Sequence, residues 1–160
     1  MLLAVRTQGL FLAPGNPLGV RGLADLTRAG VRFVNRPEGS GTRMLTELLL
    51  RRHGIAPAAI TGSNTTELTH AAVAAFVASG MADVGLGVQT AAQRFGLHFI
   101  PLLRERYFFA LATDAQASCE LSPVLGVLRS PAFRARVAAL SGYDASATGS
   151  NLTLYEAFLA

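Results

Sequence analysis

The sequence predicts an α/β chain with a largely parallel sheet. Three observations carry that class. Short apolar runs alternate with helical segments, Gly or Pro punctuates most junctions, and no internal repeat or low-complexity block breaks the alternation. Taken in order, residues 9–13 (GLFLA) read as a strand, closed by the turn Pro14-Gly15-Asn16-Pro17. Residues 22–29 form a short helix with Leu23 and Leu26 inward, stopped by Gly30. Residues 31–34 are a strand, and 41–53 a helix whose inner face is Met44, Leu45, Leu48 and Leu49. Gly54 closes that helix where a left-handed residue is wanted.

A connecting stretch from Ile55 to Thr65 leads to a small-residue helix over 69–79, ended by Gly80. Residues 82–88 (ADVGLGV) form a buried strand that ends in a glycine turn, followed by a short helix through Arg94. Two strands follow, at 97–102 and 106–112. Helices are expected near 120–128 and 131–140, separated by Ser130-Pro131 as N-cap and first helical residue. A Gly/Ser/Thr-rich stretch, 141–151, precedes a final helix at 152–159.

Composition narrows the function classes. A chain of 160 residues with 51% hydrophobic content builds a core of one domain or two small lobes. No apolar run reaches membrane-spanning length, and MLLAVRTQGL lacks a secretory layout, so no membrane partner is expected. The net charge of +4 comes from 14 arginines and no lysine. These are scattered, apart from Arg51-Arg52 and Arg104/Arg106, and no helix-turn-helix pattern gathers them, so direct DNA binding is not expected. The single Cys119 excludes an internal disulfide framework and reads as an inert thiol. His53, His70 and His98 lack metal-ligand spacing, and neither a metal nor a cofactor is expected.

The chemistry concentrates in RPEGSGTR, residues 36–43. Gly39 and Gly41 allow close approach of a ligand; Ser40 and Thr42 add hydroxyls, and Thr42 could also cap the helix. Arg36 and Arg43 supply charge, and the first-turn N–H groups sit at the positive end of the helix dipole. These groups all donate, which suits an oxyanion or carboxylate. A P-loop requires GxxxxGK[ST], and no lysine is present; a dinucleotide fingerprint requires glycine at Met44. Both fail. A plain strand-to-helix turn, with glycine serving geometry only, stays open. NTTELTHAA (64–72) supplies a second donor-rich helix start, with capping hydroxyls on Thr65, Thr66 and Thr69 and with His70 in its first turn. No Ser/His/Asp set emerges, Ser40 lacks the GxSxG setting, and the carboxylates, among them Asp114 and Glu120, form no close motif. The expectation is a non-enzyme.

Five stretches in order, APGNP, FVNRPEGSGTR, ELTHAAVAAFVASGMADVGLG, LHFIPLLRERYFFAL and RSPAFRARVAALSGYDASATG, resemble the PBP-like domain family. These are cytoplasmic relatives of type II periplasmic binding proteins, often fused to helix-turn-helix regulators or molybdopterin biosynthesis enzymes. The resemblance implies one complete lobe plus a partial second lobe lacking its N-terminal segment. Residues 1–21 would be a hinge strand and partial first lobe, 22–101 the second lobe, and 102–160 the return strand and C-terminal helices. It implies an oxyanion ligand such as molybdate or tungstate, or a molybdopterin-related compound. The binding role falls on Ser40, Gly41, Thr42 and Arg43, and further on Thr69, His70 and Gly87. DNA would be reached only through an attached domain. The segment lacking from the first lobe implies half a site, an exposed apolar face and a homo-oligomer. Two other readings stand beside the sensor: an interaction module with incidental anion binding, and an enzyme acting on a phosphorylated or carboxylated substrate.

Overall fold

The computed structural model describes residues 1–111 and 121–158, so Asp114, Cys119 and Glu120 lie outside the described residues. The chain forms two compact units, one of residues 8–103 and one of residues 1–7 with the chain from 104 onward. Strands β1 (Leu2–Leu12) and β4 (His98–Phe108) supply residues to both.

In the 8–103 unit the strand order is β2-β3-β1-β4, with β2 at Phe33–Val34 and β3 at Val84–Val88. Strand β3 runs parallel to β2, Phe33 opposite Val84 and Val34 opposite Gly85. It runs antiparallel to β1, Gln8 opposite Val88 and Leu12 opposite Val84. The sheet is therefore mixed, not largely parallel as alternation predicts. The cause lies after β1: the expected helix at 22–29 is only a 3₁₀ segment, Leu23–Thr27, which seats Leu23 and Leu26 in the core. No crossover helix returns β1 to a parallel neighbour, and β3 occupies that place instead.

Alternation along the strands divides the core between two faces. Leu10, Leu12, Phe33, Val84 and Leu86 pack with Leu49 and Leu50 on one. Phe11 and Val34 pack with Val73, Val77 and Ala92 on the other. Each fully buried Leu, Val or Phe contributes about 1.5–3 kcal/mol relative to exposure.

Helix α1 (Gly41–Arg52) starts where expected, but its inner face is Thr42, Thr46, Leu49 and Leu50. Met44 (70% exposed) and Leu48 (41%) point outward, contrary to the expected face. The Thr46 hydroxyl donates to the Thr42 carbonyl at 2.8 Å. Satisfied within the helix, that threonine buries like a small apolar residue, which a count of hydrophobic positions does not register. Helix α2 (His70–Ala78) lies against β3, and Gly85 makes the approach possible: a Cβ there would stand 2.5 Å from Val73 Cγ1. Both glycines of the expected turn, Gly85 and Gly87, are inside the strand itself. Helix α3 (Gln89–Arg94) follows β3 directly.

The two strands expected at 97–102 and 106–112 are one, β4, whose residues from Arg104 onward belong to the other unit. The charges between the two expected strands are satisfied: Arg104 pairs with Asp144 at 2.7 Å, and Arg6 pairs with Glu105. The short β5 (Tyr143–Asp144) pairs with β1 at Val5 and Arg6. Helix α4 (Ser122–Arg129) buries Leu125 and Leu128 with Met1, and α5 (Pro131–Ala138) buries Val137 with Ala4 and Ala145. Ser130 caps α5 through the Phe133 N–H, as its sequence position predicts. The last helix, α6, is Leu154–Phe158. Among the described residues no helix is long and apolar enough to cross a membrane.

The Asp144 carboxylate accepts from the Ser146 N–H at 2.9 Å and from Arg104, and its pKa is held down to about 2. A folded pKa below the unfolded one stabilises fully above the ordinary carboxylate range, about pH 4, and the benefit disappears as pH falls through the folded value. Asp144→Asn should therefore flatten the acid limb of the stability profile below about pH 4 and leave the neutral plateau's shape unchanged. Denaturant midpoints measured across that range check it.

Candidate functional site

Parallel strands end at the same edge. Val34 lies opposite Gly85, so the next residues of each strand, Asn35 with Leu86 and Arg36 with Gly87, reach the edge at matching levels. Beyond β2, Asn35 makes a parallel bridge to Thr66. Its N–H donates to the Thr65 carbonyl at 2.8 Å, and its carbonyl accepts from the Glu67 N–H at 3.0 Å. This tie draws the approach to α2 alongside the strand from which α1 departs. Helices α1 and α2 consequently both begin at the carboxyl edge of β2 and β3. Ligands of open α/β sheets bind outside that edge.

At α1 the positive φ of Gly39 (+81°) turns the chain into the helix. The Ser40 hydroxyl accepts from the Arg43 N–H at 3.2 Å and donates to the Pro37 carbonyl at 2.8 Å. Ser40, not Thr42, is therefore the cap. Thr42 turns toward the sheet and is 5% exposed. Arg43 is drawn away: its Nε donates to Glu47 at 2.6 Å and Nη1 to the Ser63 carbonyl at 3.3 Å. Gly41 faces open space, with nothing within 4 Å of a notional Cβ. Among the described residues no acceptor is present for the Gly41 and Thr42 N–H groups, so the first turn keeps its positive end available.

At α2 the Thr69 hydroxyl accepts from the Ala72 N–H at 2.9 Å. His70 opens the helix and meets β3: a Cβ on residue 87 would stand 2.7 Å from His70 Nδ1 and 2.5 Å from Phe11 Cζ. Glycine at 87 is thus what allows the imidazole to lie over the strand end. The structure joins His70 with Gly87 and sets Arg36 level with them, while it commits Ser40, Thr69 and Arg43 to local contacts.

Arg36 is half-buried, and its Nε lacks a hydrogen-bond partner among the described residues. Burial pulls the guanidinium pKa below its ordinary range. Arginine nonetheless stays charged, and a buried guanidinium N–H without an acceptor is costly until one meets it. Sequence reasoning missed Gln8. It lies opposite Val88, the last residue of β3, is 1% exposed, and leaves Oε1 without a partner. The signal was its place as a polar residue inside LLAVRTQGLFLA, where Thr7-Gln8 reads as the lead-in to a strand beginning at Gly9. Among the described residues no three His, Cys, Asp or Glu side chains gather as a metal site.

Gly87→Ala forces both Phe11 and His70 to move and should cost about 1–3 kcal/mol by chemical denaturation. Gly41→Ala, at an open helix start, should change stability by no more than about 0.5 kcal/mol.

Comparison with known proteins agrees with this architecture. A family described as PBP superfamily domain matches residues 1–129. YvgK, an uncharacterized protein of Bacillus subtilis (strain 168), is 37% identical over 145 residues, covering 91% of this chain and 46% of its own length. An uncharacterized protein in the ferredoxin 2Fe-2S gene 5′ region of Clostridium pasteurianum is 32% identical over 105 residues, 65% of this chain and 93% of that protein. The chain thus spans about half the length of the first of these relatives. A crystal structure of a histidine kinase sensor domain with similarity to periplasmic binding proteins superposes with a TM-score of 0.58 at 19% identity, covering 88% of this chain and 60% of that one. That likeness establishes the fold, type II periplasmic-binding-protein-like, and with the match over most of its length the chain belongs to the PBP superfamily.

Proposed function

We propose that this chain is a non-catalytic ligand-binding domain that senses a small anion at the carboxyl edge of β2 and β3. The observation that carries the reading is Arg36: a half-buried cation whose Nε lacks a described acceptor, standing where α1 and α2 begin. Its neighbours at that edge, the first-turn N–H groups of α1, suit negative charge. The similarity to a histidine kinase sensor domain supports a signalling role. The family resemblance suggests molybdate, tungstate or a molybdopterin-related compound as ligand, within a cytoplasmic transcriptional regulator or molybdenum-cofactor system. A ligand with unequal affinity for two conformations would shift their populations and so bias an attached DNA-binding domain.

Calorimetric titration with molybdate, tungstate, sulfate and phosphate tests this. At least one should bind, and Arg36→Gln should weaken it about tenfold or more, the scale of one hydrogen bond to a charged group. Absence of heat with all four, or affinity indifferent to Arg36→Gln, would remove the site.

A second reading, a homodimerising module, draws on the 1–7/104-onward unit. There Leu3, Tyr107, Phe133, Val137 and Leu140 line an apolar recess of about 420 Å³. Tyr107 and Leu140 are 46% and 43% exposed. If a second copy covers this recess, sedimentation should show a dimer that Leu140→Asp converts to monomer; a concentration-independent monomer would dismiss it.

A further inference from the structure

Gln8 is the least explained polar group of the 8–103 unit. Its side chain is 1% exposed and its Oε1 finds no hydrogen-bond donor. Leaving a buried acceptor unpaired is destabilising, and folded proteins rarely carry that cost without a use.

Its position is defined by register and parity. Gln8 lies opposite Val88, so it stands at the carboxyl end of β3, the edge that Arg36 and Gly87 also reach. Residues two apart on a strand share a face, so Gln8 takes the face of Leu10 and Leu12. Those leucines pack in one cluster with Leu49 and Leu50 of α1. Helix α1 starts from that same edge and turns the buried Thr42 of its first turn toward the sheet. Gln8 therefore lies on the α1 face, at the end where α1 begins. The Gly41 and Thr42 N–H groups there donate, and so does Arg36, which as the second residue after Val34 takes the opposite, α2 face at the same edge. Gln8 offers the acceptor.

We infer that Gln8 contacts the ligand, and that its carbonyl oxygen selects an anion carrying its own O–H or N–H donor over a fully deprotonated tetraoxo dianion. This rests on the anion-binding reading above and divides its ligands. A bare dianion sets lone pairs against Oε1 and leaves it unsatisfied. A monoprotonated phosphate group, or an organic anion with N–H or O–H groups, satisfies it. Of the ligand classes named above, a molybdopterin-related compound fits and bare molybdate or tungstate does not. A site built around one such hydrogen bond discriminates strongly against ligands that cannot form it.

The test is calorimetric titration of the wild-type chain and of Gln8→Met with inorganic phosphate, sulfate and molybdate at neutral pH, alongside the ligand-free Tm of each. Wild type should bind phosphate about tenfold or more tighter than sulfate or molybdate. Gln8→Met, nearly equal in volume, should bring the three within about threefold, with a Tm unchanged or raised because an orphaned acceptor is gone. Gln8→Leu gives the same comparison if methionine packs poorly. A Tm that falls while the phosphate preference persists would make Gln8 structural and overturn the inference. A wild-type preference for sulfate or molybdate would also overturn it, since the carboxamide would then be presenting its N–H₂. Absence of binding by all three anions to the wild type defeats the anion reading itself. Binding with an unaltered preference in Gln8→Met defeats only the role of Gln8.

Discussion

Strand β3 is where the architecture of the 8–103 unit is decided, and its two glycines are the reason. All five of its residues are buried; it pairs with β2 on one side and β1 on the other, and it takes α2 directly on its face. At Gly85 a side chain would collide with Val73, and at Gly87 with Phe11 and His70. The absence of those two Cβ atoms lets α2 settle close enough to bury Val73, Ala74 and Val77. It also fixes where α2 begins. His70 stands over the end of the strand because nothing at residue 87 pushes it away. A similar constraint acts between β1 and β4, where a Cβ on Gly9 would lie 2.1 Å from the Ile100 carbonyl oxygen. Close-packed interiors do not absorb such intrusions, so these glycines set spacing, not flexibility.

How much of this was legible in the sequence follows the range of the interactions involved. Helix starts were readable because capping is local: Ser130 before Pro131, the glycine-serine turn before α1, and Thr69 before α2 need only their immediate neighbours. The sheet was harder. That β1 pairs antiparallel with β3 depends on residues about seventy-five positions apart, and no local pattern encodes that direction. The single long β4 was not legible because the partners that let Arg104, Glu105 and Arg106 stay in a strand, namely Asp144, Arg6 and the Glu156 carbonyl, are remote in sequence. Leu45 and Leu49 of the expected α1 face do meet the core, but Met44 and Leu48 were misassigned to it because the two buried threonines count as polar.

The candidate site shows the same division. The sequence located the two helix starts and named His70, Gly87 and Arg36, whose surroundings the fold then supplied. It could not foresee that Ser40 would spend its hydroxyl on the Arg43 N–H and the Pro37 carbonyl, nor that Glu47 would claim Arg43 one helical turn away. Capping hydroxyls and i,i+4 ion pairs are the ordinary fate of such residues at a helix start. What distinguishes Arg36 is that it lies before the helix, on the strand's extension, beyond the reach of that pairing. Gln8 was overlooked for a different reason: the elements that bury it are remote in sequence.

Two uncompensated groups at one edge have a thermodynamic consequence. Arg36 and Gln8 each carry a desolvation cost in the ligand-free protein. Replacing either with a group that needs no partner relieves part of that cost, so selection for stability alone would not keep both. They differ in sign of demand, one asking for an acceptor and the other for a donor, and an ion of a single kind cannot answer both unless it carries a proton or an N–H. A ligand that does so recovers both costs at once, and its binding stabilises the native state by mass action. The same argument explains why helix starts alone would not make this edge selective: their N–H groups favour negative charge of any shape, whereas an acceptor set among donors excludes most anions.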